Sequence, residues 1–243
     1  MRKDSPYYQP SINVLQSASL FNGVNEVMME EILGHFSPMT LPKKTSIYSW
    51  QTQTSLFVII KGRVKVSIIN SSNGREYIIS LLDKGDVFDV ISLLDAKEHE
   101  VNIETIEEVQ LLKTSTQTAR DWLEKHPEFN KNFLPYIGER IRHLENSSSG
   151  LALYDTMSRL AKLILDNVDA HSRMKNEFSV KLINDLSHES LAQMIGSVRK
   201  VVNLNIQELK KEGIISSVRG KLSVNNLEKL LDKCKNITEV PFR

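Results

Sequence analysis

The chain has 243 residues, 40% of them hydrophobic and 25% charged, with 31 Lys+Arg against 30 Asp+Glu for a formal net charge of +1. That is the balance of a water-soluble globular protein with room for two domains. The absence of any apolar run of about 18 residues argues against a membrane-spanning helix, and MRKDSPYYQPS lacks the apolar stretch of a signal peptide. The single cysteine, Cys234, rules out an intrachain disulfide, a CxxC pair and a four-cysteine metal site, so a cytoplasmic protein with no membrane partner is expected.

Residues 1–19 show no periodic pattern and read as an arm. Leu20-Phe21 followed by Glu26 to Phe36 suggests a short helix ending near Ser37-Pro38, because the residue before proline disfavours the helical region. From Thr40 to Lys113 the texture is β. SLFVIIKG, RVKVSII, REYIISLL and VQLLK are rich in branched and aromatic residues, punctuated by Lys61-Gly62, Ser72-Asn73-Gly74 and Lys84-Gly85-Asp86. Short strands at this spacing predict an antiparallel sandwich or barrel, with Asn73-Gly74 as a tight hairpin.

Thr116 to His126 reads as a helix stopped by Pro127, and a long helical pattern follows. Leu134, Ile137, Ile141, Leu144, Ser148 and Leu151 are spaced 3, 4, 3, 4 and 3 apart, a heptad seam in which only Ser148 is polar. Packing of this helix on its own β domain is one reading. The narrow stripe, flanked by Glu139, Arg140, Arg142, His143 and Glu145, favours pairing with a second copy. A break is expected at or just after Ser147-Ser148-Ser149-Gly150. Asp155 is the expected N-cap of a helix over Thr156 to Val168, and His171 to Glu177 reads as a polar loop.

Leu186 to Ile215 reads as two helices around Gly196. Leu191, Met194 and Ile195 line the first; Val198, Val201, Val202, Ile206 and Leu209 line the second, with Ser197 as its expected N-cap and Gly213 as its stop. Arg199, Lys200 and Asn203 occupy the other face, the side-chain types that reach phosphates and base edges from a helix in the major groove. Two short strands, Ile214 to Val218 and Lys221 to Val224, flank Arg219-Gly220. Helix, turn, helix and basic hairpin make a winged helix-turn-helix. From Leu151 onward there are 15 Lys+Arg against 11 Asp+Glu, leaving a net −3 for the first 150 residues. This modest excess agrees with DNA binding by the C-terminal half.

The order of a β sandwich, a dimer-forming helix and a winged helix-turn-helix resembles the CRP/FNR superfamily of bacterial transcription regulators. LFVIIKGRVKV, LLDKGDVF and LSHESLAQMIGSVRKVV carry the resemblance, which spans about Leu20 to Leu231. It implies an α+β chain: a cyclic-nucleotide-binding-like β-roll sensor over 1–127, a dimerisation helix and hinge over 128–154, and a winged helix-turn-helix over 155–243. It further implies a homodimer on a pseudo-palindromic operator in double-stranded DNA, with seam residues Leu134, Ile137, Ile141, Leu144 and Leu151. RNA polymerase and a small-molecule effector are the other implied partners.

The family's cyclic-nucleotide cassette reads Gly-Glu-Leu and then an Arg-Ser pair. Here the corresponding residues are Asp89, Val90 and Ile91, followed by Ser92, with His99 and Glu100 at the Arg-Ser positions; Leu144 falls near the position that contacts the base. Asp89, Glu98 and Glu100 would repel a cyclic phosphate, so no response to cyclic AMP is expected. One cysteine cannot hold the iron–sulfur cluster of the oxygen-sensing branch. Haem would need an axial ligand from His99 or His143, and neither cofactor is expected. In the recognition helix Arg199 is retained and could contact guanine, while Lys200 and Leu204 replace a Glu and an Arg. The operator should therefore differ from TGTGA. Ser187, His188, Ser197, Asn203, Arg219 and Lys221 complete the expected DNA-contacting set, with Ser187, His188, Arg219 and Lys221 on phosphate.

Two other classes compete. A sensor acting through protein–protein contacts would carry a weakened DNA-binding domain. An enzyme is disfavoured by the lack of a Walker loop, HExxH, GxSxG or metal-spaced His/Cys cluster. Asp89, Glu98, Glu100 and His99 could in principle hold a divalent ion, but neighbouring loop acids are more often solvated.

Overall fold

A computed structural model of the chain describes residues 1–174, 177–218 and 220–234. These residues form two compact units: Met1–Arg75 with Ile79–Arg142, and Glu76–Ile78 with His143–Arg243.

The first unit opens with α1 (Tyr8–Ser17), a 3-10 turn (Ser19–Phe21) and α2 (Glu26–Gly34). The arm expected over 1–19 is thus largely helical, with Val14 and Leu15 buried. The β region contains β1 (Ser37–Leu41), β2 (Ser46–Ile47), a short α3 (Ser49–Thr54), β3 (Ser55–Lys61), β4 (Val64–Ile69) and β5 (Glu76–Leu82). It continues through β6 (Val87–Phe88), α4 (Val90–Asp95), β7 (Asn102–Thr105) and β8 (Val109–Ser115). Two four-stranded sheets result, ordered β1-β8-β3-β6 and β2-β7-β4-β5.

The central strand β3 explains its own composition. Leu56 to Ile60 are all buried, and alternate side chains enter two different cores. Phe57 and Ile59 join Val64, Val66, Leu82, Ile103 and Leu111. Leu56, Val58 and Ile60 join Leu15, Phe21, Leu33 and Trp122. A strand covered on both faces reads as a continuous apolar run rather than an alternation. At its end Gly62 has φ +89° and sits so tightly that an added Cβ would lie 2.5 Å from the Glu108 carbonyl oxygen, which explains the glycine of Lys61-Gly62. The Asn73-Gly74 hairpin is wider than expected: Asn70 N–H donates to Arg75 O at 2.9 Å across Ser71 to Gly74.

Next come α5 (Thr116–Lys125) and α6 (Pro127–Leu153). Pro127 opens α6 as well as stopping α5, since a proline at a first helical position loses no helical hydrogen bond. Phe129, Phe133 and Tyr136 are buried in the helical layer of the first unit. Phe129 lies 5.7 Å from Phe21 and 6.1 Å from Trp122, ring centre to centre. The break expected at or just after Ser147 to Gly150 falls just after: those four residues are helical and α6 ends at Leu153. Ser147 and Ser149 hydroxyls donate 2.9 Å bonds to the carbonyls of His143 and Glu145, a side-chain bond that lets serine remain helical.

In the second unit α7 (Thr156–Asp166) starts on Asp155, whose carboxylate accepts from Ser158 N–H at 2.8 Å. Then follow β9 (Val168–Met174), β10 (Glu177–Val180), α8 (His188–Met194), α9 (Arg199–Lys211), β11 (Ile215–Val218), β12 (Lys221–Val224) and α10 (Leu227–Lys233). Of the stretch read as a polar loop over His171 to Glu177, residues 171–174 and Glu177 lie instead in paired strands, and residues 175 and 176 lie outside the described residues. Glu177 stands opposite Met174 and Phe178 opposite Arg173, and the sheet order is β11-β12-β10-β9. Leu160, Ile164, Leu191, Val202, Ile206, Leu209 and Leu230 are all buried.

Candidate nucleic-acid interface and sensor cassette

The helix-turn-helix is set by three local features. Ser187 caps α8, its hydroxyl accepting from Ser190 N–H at 3.0 Å. Gly196 turns the chain at φ +62°, a left-handed conformation that side chains resist. The second helix then begins on Val198 rather than on Ser197, and Val198 has no side-chain cap bond. Ser197 was the better capping residue by chemistry. The geometry of the turn, with Ser197 N–H donating to Ala192 O at 2.8 Å, keeps it one residue outside.

Burial of Val202, Ile206 and Leu209 orients α9. That leaves Arg199, Lys200 and Leu204 exposed, Leu204 by 56%. The wing follows, with Val218 opposite Lys221 in the β11–β12 pair and Lys221 exposed. Arg219 lies outside the described residues. Sequence reading missed one relationship here: His188 Nδ1 lies 3.1 Å from Asn203 Oδ1, joining the first turn of α8 to α9. Fifteen positions separate the two residues, and only the folded crossing of the helices brings them together.

In the cassette of the first unit, Asp89, Ser92 and His99 converge. Asp89 is 5% exposed. Its carboxylate accepts from Ile91 N–H at 3.2 Å and from Ser92 Oγ at 2.8 Å, and both its oxygens lie 3.0 Å from His99 Nδ1. Burial alone would raise the Asp89 carboxyl. The bond to His99, then that from Ser92, outweighs it and holds the group below the usual carboxylate range. The bond to Asp89 in turn raises the His99 imidazole against its partial burial. Arg120 closes the other end of α4, donating to Leu93 O at 2.9 Å and Ser92 O at 3.0 Å. Val90 packs against the helical core, whereas Ile91 and Glu100 are exposed, and Glu98 bonds Ser49 Oγ. The cassette residues thus separate into an inward group of Asp89, Val90, Ser92 and His99 and an outward group of Ile91, Glu98 and Glu100. No cluster of three or more metal-ligating side chains occurs among the described residues.

The seam divides likewise. Leu134 and Ile141 are 69% and 51% exposed, and Leu144 and Leu151 are also exposed, but Ile137 packs against the core of its own unit. Leu151 has a second neighbour: a Cβ on Gly196 would lie 2.6 Å from its Cδ2.

A two-layered antiparallel roll, a long helix with an exposed apolar stripe and a winged helix-turn-helix are the architecture of a DNA-binding protein with a β-roll domain ahead of its helix-turn-helix. Residues 38–126 match the cyclic nucleotide-binding domain family and residues 158–233 the Crp-like helix-turn-helix domain family. The chain belongs to the CRP/FNR superfamily of DNA-binding transcription regulators. It is 23% identical over 223 residues to the CRP-like cAMP-activated global transcriptional regulator of Mycobacterium tuberculosis, covering 91% of this chain and 99% of that one. It is 26% identical over 223 residues to the global nitrogen regulator of Nostoc sp., covering 87% and 95%. Among solved structures, a CooA mutant from Carboxydothermus hydrogenoformans superposes with TM-score 0.70 at 23% identity, covering 83% of this chain and 89% of that one, and shares the fold. No described helix is long and apolar enough to cross a membrane.

Proposed function

We propose that this regulator acts as a homodimer on a pseudo-palindromic operator without responding to cyclic AMP. Residues 1–127 would form its sensor, 128–154 its dimerising helix and 155–243 its DNA-binding part. The observation that carries the effector half is the Asp89 carboxylate. It already takes the Ile91 amide at the start of α4 and the imidazole of His99, the donors to which a phosphate of a cyclic nucleotide would turn. A buried anion in that place repels a second one. The Ile91 amide, the Ser92 hydroxyl and His99 Nδ1 all face Asp89, so an anionic ligand would take them only by displacing it. The operator half rests on the exposed Arg199, Lys200 and Lys221 and on the exposed stripe of α6. Two recognition helices would then meet half-sites about 34 Å apart.

Selection of genomic fragments by the purified chain, followed by salt titration of the recovered site with and without cyclic AMP, tests this reading. An enriched palindrome whose affinity cyclic AMP leaves within about twofold is expected, and Arg199→Ala should weaken it by about fivefold to a hundredfold. A tenfold or greater gain on adding cyclic AMP would overturn the effector assignment. Binding of equal strength to any sequence would overturn the operator assignment.

A further inference from the structure

We infer that His188 fixes how Asn203 reads DNA, anchoring the oxygen end of its amide so that the donor end is the one presented to a base. The inference rests on the DNA-binding reading and adds a specificity-determining pair to it. A free asparagine recognises adenine with both ends of its amide: Oδ1 accepts from N6 while Nδ2 donates to N7. In this chain Oδ1 faces His188 Nδ1 at 3.1 Å. With a carbonyl oxygen as acceptor, Nδ1 carries the proton; the bond takes one of the two lone pairs of Oδ1 and turns that oxygen toward His188. Both residues are partly buried, so the bond is shielded and its geometry held by the packing of α8 on α9. Nδ2 is thus the end turned away from His188 and presented to a base.

A lone donor has its own selectivity. It finds acceptors on guanine (N7 and O6), on adenine (N7) and on thymine (O4), whereas the major-groove edge of cytosine presents a donor. The contact therefore excludes cytosine and separates guanine from adenine only weakly. Leu204, the next residue and exposed, adds apolar surface suited to a thymine methyl. Relieved of His188, the same Asn203 would gain a two-point match to adenine.

The experiment uses the full chain and a duplex library randomised over the recovered operator. The base pair read by Asn203 is the one whose preference Asn203→Ala flattens. At that pair the wild type is expected to reject cytosine by about fivefold or more while taking guanine and adenine within about threefold of each other. His188→Ala should then raise adenine over guanine by about fivefold or more. Asn203→Asp retains the acceptor facing His188 and removes the free donor, so it should shift the preference toward cytosine. A far-UV spectrum and melting curve establish that each variant is folded, and Asn203→Asp gives an independent reading should His188→Ala be unfolded. An adenine preference already dominant in the wild type and unchanged by His188→Ala would overturn the inference. So would a His188→Ala variant whose base preference at that pair equals the wild type's, whatever its overall affinity, or an Asn203→Ala variant with no flattened position. Each of these outcomes leaves the operator intact. Failure of the wild type to recover any operator would instead overturn the DNA-binding reading, and this inference with it.

Discussion

His99 Nδ1 stands 3.0 Å from each carboxylate oxygen of Asp89, a residue only 5% exposed. Asp89 is held below its ordinary range and His99 above its own, so the pair contributes stability in a defined pH window. The His99 part is complete below the unfolded imidazole value and is lost as pH rises through the raised folded value. The Asp89 part is complete above the unfolded carboxyl value and is lost as pH falls through the lowered one. Thermal melts of wild type and His99→Ala should therefore differ more at about pH 6 than at about pH 9. An equal gap at both would mean that charge adds nothing to this bond.

Removing the carboxylate should be worse than removing the imidazole. Asp89→Ala strips α4 of its N-cap and leaves the fully buried Ser92 hydroxyl without its acceptor. Chemical denaturation should show a loss of about 2–4 kcal/mol. Asp89→Asn, which keeps one acceptor oxygen for either the Ile91 amide or the Ser92 hydroxyl, should lose less. A loss under about 0.5 kcal/mol for Asp89→Ala would place the cassette's stability elsewhere.

Gly196→Ala meets two obstacles of unequal weight. The backbone at φ +62° costs a side chain about 1–2 kcal/mol. The 2.6 Å overlap is with Leu151 Cδ2, the end of a flexible side chain that can turn away. The backbone effect should dominate, so denaturation should show a loss of about 1–2 kcal/mol that changes by less than about 0.5 kcal/mol when Leu151→Ala is already present. A loss abolished in that background would reverse the ranking.

Ile141 is 51% exposed on α6, seven residues beyond Leu134 at 69%. If this stripe is the dimer seam, Ile141→Asp should sediment as a monomer at concentrations where the wild type is a dimer, and its operator affinity should fall by at least about a hundredfold. A monomer that binds with wild-type affinity would remove the dimer from the mechanism.

Those elements whose cause is local were legible in the residues. The strands around Lys61-Gly62, the cap Asp155 and the helix pair about Gly196 each follow from a short pattern that packing leaves unaltered. What escaped depends on distant partners. The β9–β10 pair looked like a polar loop because β10 gains its order from β12, some forty positions away. Ile137 shares the spacing of the seam, but the core beneath it claims one side of the helix. The His188–Asn203 bond likewise joins residues whose sequence neighbourhoods give no hint of one another. Repulsion of an anion by Asp89 could be argued from charge alone; its buried hydrogen bonding could not.

The uninterrupted course of α6 through Ser147 and Ser149 has a mechanical consequence. A helix of 27 residues at about 1.5 Å per residue spans some 40 Å. Its soft point is Pro135, which has no N–H to donate to the carbonyl four residues back, and not the serines downstream, whose hydroxyls add bonds to the helix they sit in. Bending of α6 should therefore respond to Pro135→Ala far more than to alanine at Ser147 or Ser149.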